Sequence, residues 1–243
     1  MCEFGLIGKD IGYSFSKTFF LEKFKKENLP FQYENFDLPS IDFFPNIISE
    51  NPALRGLNVT IPYKEEVMPY LNEIDMVARK IGAVNTIKIS DNNKLIGHNT
   101  DHYGFNRALE KFLPLPHKTA LVLGTGGASN AVVFILKKLG FSYTFVSRSP
   151  DFGSIAYEAL NENLMRKHSL IVNCTPLGTY PNIHQSPDIP YQHITAQHLL
   201  FDLIYNPTET EFLRQGKMRG AKTANGLKML EMQAEKSWEI WNS

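Results

Sequence analysis

Polar residues in the first hundred or so positions interrupt or directly follow apolar, strand-like runs, where a hydrophobic core would not need them. They are Asn58, Thr60, Lys64, Asn85, Thr86 and Asp101. The carboxyl ends of parallel strands meet at one edge of a sheet, where ligands bind. An ammonium group, a carboxylate, an amide and a hydroxyl at one edge suit a polyhydroxylated substrate. Asn85 and Asp101 could equally cap a turn and a helix, so these residue types alone leave both roles open.

A glycine-rich turn near the middle of the chain indicates a second kind of chemistry. An apolar run over 119–123 leads into Gly124, and Gly126 and Gly127 open a helix-like segment. The bare backbone amides at such a helix N-terminus bind dinucleotide pyrophosphates. Ser129 occupies the third glycine position of this fingerprint, so a tight structural turn is the alternative interpretation.

The end of the following strand-like run favours one dinucleotide over the other. A carboxylate there would bind the ribose 2′-hydroxyl of NAD, whereas an arginine accommodates the 2′-phosphate of NADP. The run ends in Arg148, so we predict NADP, while Asp151 keeps NAD open. The cofactor-binding residues predicted from these two segments are Gly124, Thr125, Gly126, Gly127, Ala128, Ser147, Arg148 and Ser149.

Alternating apolar patterns predict the elements that must hold these residues. Strands are expected over 2–7, 32–36, 57–61, 83–89, 94–97, 119–123, 143–146, 170–173 and 199–204. Helices are expected over 19–29, 64–71, 101–112, 131–136 and 227–241, with another within 41–48. Strands that alternate with helices predict an α/β fold with a parallel, doubly wound sheet.

The composition narrows the class of protein. Of the 243 residues 43% are hydrophobic and 21% charged, and Lys plus Arg equal Asp plus Glu at 25 each. This balance favours neither a nucleic acid nor a membrane surface as partner. No segment approaches the ~20 apolar residues that a membrane helix needs, and the polar residues Lys9 and Asp10 end the first apolar run too early for a signal peptide. A cytoplasmic location is therefore expected.

Cysteine and histidine indicate no further site. Cys2 and Cys174 are too few and too scattered for a disulfide framework. The apolar neighbours of Cys174 favour a buried structural thiol over a nucleophile. His98, Asp101 and His102 do not share one helical face, so no metal is predicted.

Seven motifs, in order along nearly the whole chain, closely resemble those of the shikimate dehydrogenase family. They are GLNVTIPYK at 56–64, IGAVNT at 81–86, NTD at 99–101, GTGGA at 124–128, NCTPLG at 173–178, DLIYNP at 202–207 and GLKMLEMQA at 226–234. The resemblance implies reversible reduction of 3-dehydroshikimate to shikimate with NADPH, in the pathway to chorismate and the aromatic amino acids. It also implies an N-terminal α/β substrate domain, a Rossmann-like NADP-binding domain and an active-site cleft between them.

The resemblance assigns roles by position. It implies that Lys64 and Asp101 are catalytic, that Ser14, Ser16, Thr60, Asn85, Tyr205 and Gln233 bind the substrate, and that Gly226 joins the cofactor-binding residues. Lys64 as an ammonium would polarise the substrate carbonyl and protonate the developing alkoxide, then act as a base in the reverse direction. Asp101 would favour the charged lysine, and burial would oppose it.

The expected domains follow from the same resemblance. Residues 1–100 form the substrate-binding catalytic domain, which the C-terminal helix 227–243 rejoins, and residues 101–226 form the Rossmann-like domain. The expected partner is a small-molecule substrate, shikimate or 3-dehydroshikimate, with a monomer or a homodimer as the assembly.

Departures from the family pattern leave alternatives open. The serine segment around Tyr13 lacks a histidine and a proline that are usual there, Asn130 replaces a common arginine, and Asp151 and Phe152 stand where a second basic residue often helps to hold the 2′-phosphate. We therefore expect reduced discrimination against NAD. The alternatives are an NAD-using quinate/shikimate dehydrogenase, decided by the pocket around Ser14, Ser16 and Tyr13, and a non-catalytic regulator that binds dinucleotide or shikimate.

Overall fold

The chain folds into two compact units, each with its own sheet. The computed structural model describes residues 3–12, 14–151 and 153–243. Residues 1–103 and 233–243 cluster as the first unit, and residues 104–232 cluster as the second. The last helix therefore begins among residues of the second unit and ends among those of the first. The predicted domain boundaries at residues 100 and 226 stay a prediction.

The first unit contains a mixed six-stranded sheet. Its strands are β1 (Phe4–Gly8), β2 (Tyr33–Asp37), β3 (Gly56–Val59), β4 (Glu73–Ile74), β5 (Thr86–Ile89) and β6 (Leu95–His98), in the order β2-β1-β3-β5-β6-β4. Its helices are α1 (Phe15–Lys26), α2 (Phe44–Glu50) and α3 (Met76–Ile81), and α4 (Asp101–Leu109) begins there. β1 is parallel to β2 and β3, whereas β5 runs antiparallel to β3 and β6. The hairpin of β5 and β6 therefore reverses the chain within an otherwise parallel sheet.

The second unit has the doubly wound topology that the sequence predicts. Its strands are β7 (Thr119–Leu123), β8 (Ser142–Ser147), β9 (Ser154–Ala156), β10 (Leu170–Asn173), β11 (Leu199–Asp202) and β12 (Lys222–Ala224). Its helices are α5 (Gly127–Lys138), α6 (Glu162–Lys167) and α7 (Glu211–Lys217), and α8 (Leu227–Trp241) begins there. The strand order is β12-β11-β10-β7-β8-β9 and every pair is parallel. The order reverses at β7, where dinucleotides bind in folds of this class.

Each sheet buries its apolar residues in a core of its own unit. In the first unit, rings of Phe4, Phe20, Phe24 and Trp241 pack together, with 4.8 Å between the Phe4 and Trp241 centroids. In the second unit, strands β7 and β10 contribute fully buried aliphatic side chains on both faces of the sheet. These cores fix the sheets, and the sheets fix the strand ends on which the predicted site residues lie.

The helices predicted over 64–71 and 19–29 differ most from the structure, and smaller differences of bounds occur at α2, α4 and α5. The helix expected over 64–71 is wrong, because residues 61–67 form turns and only Met68–Tyr70 form a 3-10 helix. Pro69 contributes to this difference, since it lacks the amide proton that a continuous α-helix over these residues would need at that position. The helix expected over 19–29 begins earlier, at Phe15, because Ser14 caps it.

Some expectations lie at the limits of the described residues. Cys2, Tyr13 and Phe152 lie outside the described residues. The start of the first predicted strand at Cys2 and the expectations that involve Tyr13 and Phe152 therefore stay predictions. Within the described part of the chain, no helix combines the length and the apolar character that crossing a membrane would require.

Candidate active site

Lys64 and Asp101 form the ion pair at the centre of the candidate site. Lys64 Nζ lies 2.6 Å from Asp101 Oδ2, and the two side chains are only 15% and 7% exposed. Lys64 lies in the turns that follow β3, and its carbonyl accepts a hydrogen bond from Val84 N at 2.7 Å, which fixes the local backbone. Asp101 is the first residue of α4. The sequence thus singles out two residues, 37 positions apart, that meet in the folded chain.

Asn85 holds the other oxygen of that carboxylate. Its Nδ2 donates to Asp101 Oδ1 at 2.8 Å. The orientation of the amide is unambiguous, because Asn85 Oδ1 accepts from the backbone N–H of Thr100 at 2.6 Å and so must face away from the carboxylate. Both oxygens of Asp101 therefore accept hydrogen bonds, one from an amide and one from an ammonium group.

Gln233 reaches this cluster from α8. Its Oε1 accepts from Asn85 Nδ2 and from Thr100 Oγ1, each at 3.3 Å. Because the oxygen is engaged, the amide nitrogen is the group left to donate to a bound molecule. Thr60, which follows β3, is half-buried and is held by its backbone N–H on Ile7 O at 2.9 Å.

A buried layer of amides and hydroxyls packs against these residues on the side of the core. Its members are Asn58, Thr86, Thr100 and Ser237, all nearly or fully buried. Ser237 Oγ lies 2.8 Å from Thr86 Oγ1, 3.2 Å from Thr100 Oγ1 and 3.1 Å from Asn58 Nδ2. Asn58, Thr86 and Thr100 lie in the motifs quoted above, whereas Ser237 was not predicted, although it follows Gln233 by four residues and so shares its helix face.

The two predicted serines lie at the start of α1. Ser14 is its N-cap, and Ser14 Oγ accepts from Lys17 N at 3.4 Å. Ser16 is buried in the first turn. The preceding loop is tied to β2, because Asn35 Nδ2 donates to Ile11 O at 3.1 Å. Among the described residues no hydrogen bond joins either serine to Lys64 or Asp101.

The glycine turn after β7 has the geometry of a phosphate-binding turn. Gly124 has φ +98°, and a Cβ there would lie 3.2 Å from Thr175 Cγ2, so glycine is required. Gly126 is the N-cap of α5 without a side-chain cap, and a Cβ there would meet open space. Ser129 N donates to Gly126 O at 2.8 Å, so the amides of Gly127 and Ala128 are the first-turn donors left for a ligand, which fits a pyrophosphate. Thr125, Gly127 and Ala128 complete this turn.

Arg148 stands exposed directly after β8, the strand next to β7. Within the described residues it forms no ion pair, so its guanidinium can take a bidentate anion. Ser147 Oγ accepts from Ser149 N at 3.2 Å, which shapes this strand end. The position and charge of Arg148 fit the 2′-phosphate of NADP.

Gly226 lies beside the loop that follows β11. Its N–H donates to Ile204 O at 2.9 Å, and a Cβ would lie 2.0 Å from Leu203 O. Only glycine permits this approach of two backbone segments. Tyr205, also predicted, is half-buried in the same loop of the second unit.

Asp202 is a buried carboxylate that the sequence analysis did not single out beyond its motif. It ends β11 and accepts from Asn173 Nδ2, Ile204 N and Thr210 Oγ1 at 3.0, 3.0 and 2.6 Å. Burial raises the pKa of Asp202 to about 6, and these hydrogen bonds oppose the rise. Cys174 is half-buried rather than fully buried, and desolvation raises the pKa of its thiol far above the usual range, which disfavours a reactive thiolate.

The histidine near Asp101 has a partner of its own. His98 Nδ1 lies 3.1 Å from Asp75 Oδ2, and Asp75 caps α3. The described residues contain no cluster of three or more His, Cys, Asp or Glu side chains that could hold a metal ion.

Comparison with known proteins relates these features to a family. A family model described as the shikimate dehydrogenase substrate binding domain matches residues 6–87. The shikimate dehydrogenase (NADP(+)) of Clostridium botulinum is 39% identical over 249 residues, which cover 98% of this chain and 95% of that protein.

Solved structures show the same relationship. The structure of shikimate 5-dehydrogenase from Thermus thermophilus in complex with NADP(H) and shikimate superposes with a TM-score of 0.86 at 33% identity, covering 99% of this chain and 93% of that one. Quinate dehydrogenase from Corynebacterium glutamicum in complex with NAD gives a TM-score of 0.87 at 26% identity, with the same coverage of 99% and 93%.

Proposed function

Since this chain belongs to the shikimate dehydrogenase family, we propose that Lys64 and Asp101 carry out the proton transfer of its reaction. That reaction is the reversible, NADP-dependent reduction of 3-dehydroshikimate to shikimate, as the sequence predicts and as near full-length relatives confirm. The α/β fold with a substrate-binding and a Rossmann-like NADP-binding part is confirmed in the same way.

The ion pair at 2.6 Å is the observation that supports this assignment. NADPH, when bound, supplies a hydride to the carbonyl carbon, so the carbonyl oxygen must gain a proton. The Lys64 ammonium donates that proton, and the neutral amine takes it back in the reverse reaction. Asp101 stabilises the charged lysine and fixes its direction, because its second oxygen is held by Asn85.

The substrate-binding residues divide by the groups that they offer. The amides of Asn85 and Gln233 and the Thr60 hydroxyl are proposed as ligands of ring hydroxyls. Gln233 Oε1 is engaged within the protein, so its amide nitrogen is the group that donates to the substrate. The Asn85 amide already bonds Thr100, Asp101 and Gln233, so it binds a ring hydroxyl only in exchange for one of these contacts. Ser14 and Ser16, at the N-terminus of α1, suit the substrate carboxylate, since hydroxyls and a helix N-terminus both favour an anion. Tyr205 is proposed as a further ligand of that carboxylate.

The cofactor residues divide in the same manner. The turn Gly124–Ala128 takes the pyrophosphate on its backbone amides, and Arg148, flanked by Ser147 and Ser149, takes the 2′-phosphate. Gly226 contributes indirectly, because the absence of a side chain allows the loop after β11 to pack against it. Asp151 and the missing second basic residue support a weaker preference for NADP over NAD than two cations would give.

Relatives bind small molecules, and we propose shikimate and 3-dehydroshikimate as the partners of this chain, with no role for nucleic acid or a membrane. We propose a monomer or a homodimer as the assembly. A cytoplasmic location is proposed because the reaction draws on NADPH and feeds biosynthesis.

The decisive experiment is absorbance at the nicotinamide band with purified protein. Shikimate with NADP should give rapid reduction of the cofactor, and the same enzyme should be slower with NAD. Quinate with NAD as the preferred pair would replace the proposed specificity with that of the quinate dehydrogenase to which the chain is also similar. Cofactor binding without turnover of any pair would instead indicate a regulator.

A further inference from the structure

The second unit holds a buried negative charge that the reaction described above does not use. Asp202 is fully buried, and no lysine, arginine or histidine among the described residues forms an ion pair with it. A buried carboxylate without a cation is costly, so its retention calls for a function. Its three partners, Asn173 Nδ2, Ile204 N and Thr210 Oγ1, are all donors.

Asp202 determines which way the Asn173 amide points. Asn173 Nδ2 donates to Asp202 Oδ1 at 3.0 Å, so Asn173 Oδ1 faces the opposite direction. There it accepts from both Thr175 N at 3.0 Å and Thr175 Oγ1 at 2.7 Å. The carboxylate thus holds, through one amide, the loop that follows β10.

That loop lies against the cofactor turn. Thr175 Cγ2 would be 3.2 Å from a Cβ on Gly124, so the Thr175 side chain forms one wall of the glycine turn. The strand order indicates which end of a bound dinucleotide lies near this wall. Arg148 follows β8 on one side of β7, and β10 and β11 lie on the other, so the nicotinamide end of a bound dinucleotide extends over the ends of β10 and β11.

The same carboxylate holds the loop after β11. It accepts from Ile204 N and, through its second oxygen, from Thr210 Oγ1, the N-cap of α7. Ile204 O in turn accepts from Gly226 N at 2.9 Å. The segment between Asp202 and Thr210, which includes Tyr205, is therefore fastened at both ends to one side chain.

We propose that Asp202 is a positioning residue for the cofactor: its carboxylate orients the loops after β10 and β11 that receive the nicotinamide end of NADP. The inference rests on the proposed function of the glycine turn. Protonation would weaken the arrangement, because a protonated oxygen would have to donate where all three neighbours already donate. Affinity for NADP should therefore fall as the pH falls through the pKa of Asp202, which is about 6.

The titratable groups around Asp202 do not change charge in this range. Cys174 and Tyr191 interact with it electrostatically, and burial raises the pKa of each far above neutrality. Glu211, next to Thr210 on α7, has its pKa lowered by a hydrogen bond from Arg214 and stays ionised.

The test is isothermal calorimetry of NADP binding from pH 5 to pH 8, which needs no turnover. Asp202→Asn keeps the shape and removes the charge, so it should bind NADP about tenfold more weakly than the native protein at pH 8. The difference should shrink to less than twofold at pH 5. The 2′-phosphate of NADP also titrates near pH 6, but this effect is common to both proteins and cancels in the ratio of their dissociation constants.

A matched pair of variants tests the same network without touching the carboxylate. Thr210→Ser keeps the hydroxyl and should bind NADP as the native protein does, whereas Thr210→Val, of similar shape, should bind several-fold more weakly. A ratio of dissociation constants between native and Asp202→Asn protein that stays constant with pH would overturn the proposal, as would equal binding by the two Thr210 variants. Loss of NADP binding at every pH in the native protein would instead overturn the proposed function itself.

Discussion

At the scale of single residues, the proposed proton transfer depends on a lysine whose side chain is only 15% exposed. Among the residues that the structure describes, Lys64 has one charged partner, Asp101, and that partner is itself fixed by Asn85. This arrangement fixes the position of the Lys64 ammonium group and keeps it paired with Asp101. Orientation of this kind contributes to the rate only if Lys64 takes part in the proton transfer, so substitution separates catalysis from binding.

Lys64→Ala should lower kcat by a factor of about 10² to 10⁴, the usual contribution of general acid–base catalysis. KM for shikimate should change much less, because the ring hydroxyls keep their other ligands. Steady-state kinetics with NADP and shikimate would measure both. Lys80→Ala, at an exposed lysine in the last turn of α3, is the matched control and should leave both constants unchanged. A near-normal kcat in Lys64→Ala would remove this residue from the chemistry.

The proposed role of Arg148 is to distinguish the two cofactors. Arg148→Ala should weaken NADPH binding about 10- to 100-fold, since hydrogen bonds to charged groups contribute about 1.5–3 kcal/mol. NADH binding should change less than twofold. Fluorescence titration of each reduced cofactor measures this, with Arg166→Ala, an exposed arginine on α6, as the control. An equal loss for both cofactors would show that Arg148 does not read the 2′-phosphate.

At the scale of elements, the end of α8 is joined to the first sheet by polar contacts as well as by apolar packing. Ser237 contacts Thr86 on β5 and Asn58 on β3, and Trp241 Nε1 donates to Ile87 O at 3.0 Å. The helix therefore supplies Gln233 to the site in a register that several strands specify together. Without Ser237 the buried amide and hydroxyls would compete for fewer partners.

Ser237→Ala should lower the free energy of unfolding of the first unit by about 1–3 kcal/mol, the cost of leaving buried polar groups unsatisfied. Urea unfolding followed by tryptophan fluorescence reports on this unit, because the two tryptophans of the chain, Trp238 and Trp241, both lie in its part of α8. Glu239→Ala, at an exposed position of the same helix, should change it by less than about 0.5 kcal/mol. A Ser237→Ala curve that overlays the native one would contradict this role of the hydroxyl.

The sequence predicts long, strongly patterned elements well and short ones poorly. Strand β10 and helix α8 have the predicted bounds. An unbroken apolar run is compatible with few structures other than a buried strand, and a sustained 3.6-residue period with few other than a helix. Strand β12, of three residues, and helix α6, of six, carry no periodicity long enough to detect. The sheet supplies their stability, so their own residues need not signal them.

The candidate site was predictable where motifs exist and not where packing decides. The ion pair of Lys64 with Asp101 follows from two motifs, and the glycine turn follows from its own pattern. The role of Ser237 depends on a contact over 151 residues of chain with Thr86, which a single sequence does not reveal.

At the scale of the whole molecule, the two units have different proposed roles. In the second unit, the buried carboxylate of Asp202 lowers the stability of the fold. The Asp202 carboxylate is charged above pH 6 although burial disfavours that charge. A protein that only needed to be stable would place a neutral amide there. Stability given up at a site of this kind is common where function needs a particular charge or geometry.

The raised pKa of Asp202 predicts the direction in which the free energy of unfolding changes with pH. The pKa of Asp202 is about 6 in the folded chain and 3.8 as the reference for the unfolded one, so the folded state binds more protons between those values. Stability should therefore fall as the pH rises from about 4 to about 6, by roughly 3 kcal/mol in total, since each pKa unit corresponds to about 1.4 kcal/mol. Far-ultraviolet circular dichroism in urea, at several pH values, measures it.

His168 acts in the opposite direction and must be separated from Asp202. Burial lowers the pKa of His168 from its reference of 6.5, so its contribution to stability is lost as the pH falls below that value. Asp202→Asn retains His168, so the difference in unfolding free energy between native and variant protein isolates the carboxylate. That difference should move in favour of the variant as the pH rises from 4 to 6 and stay level above. A difference independent of pH would mean that Asp202 does not titrate in this range, and the charge at the ends of β10 and β11 would then be present under all the conditions in which the cofactor binds.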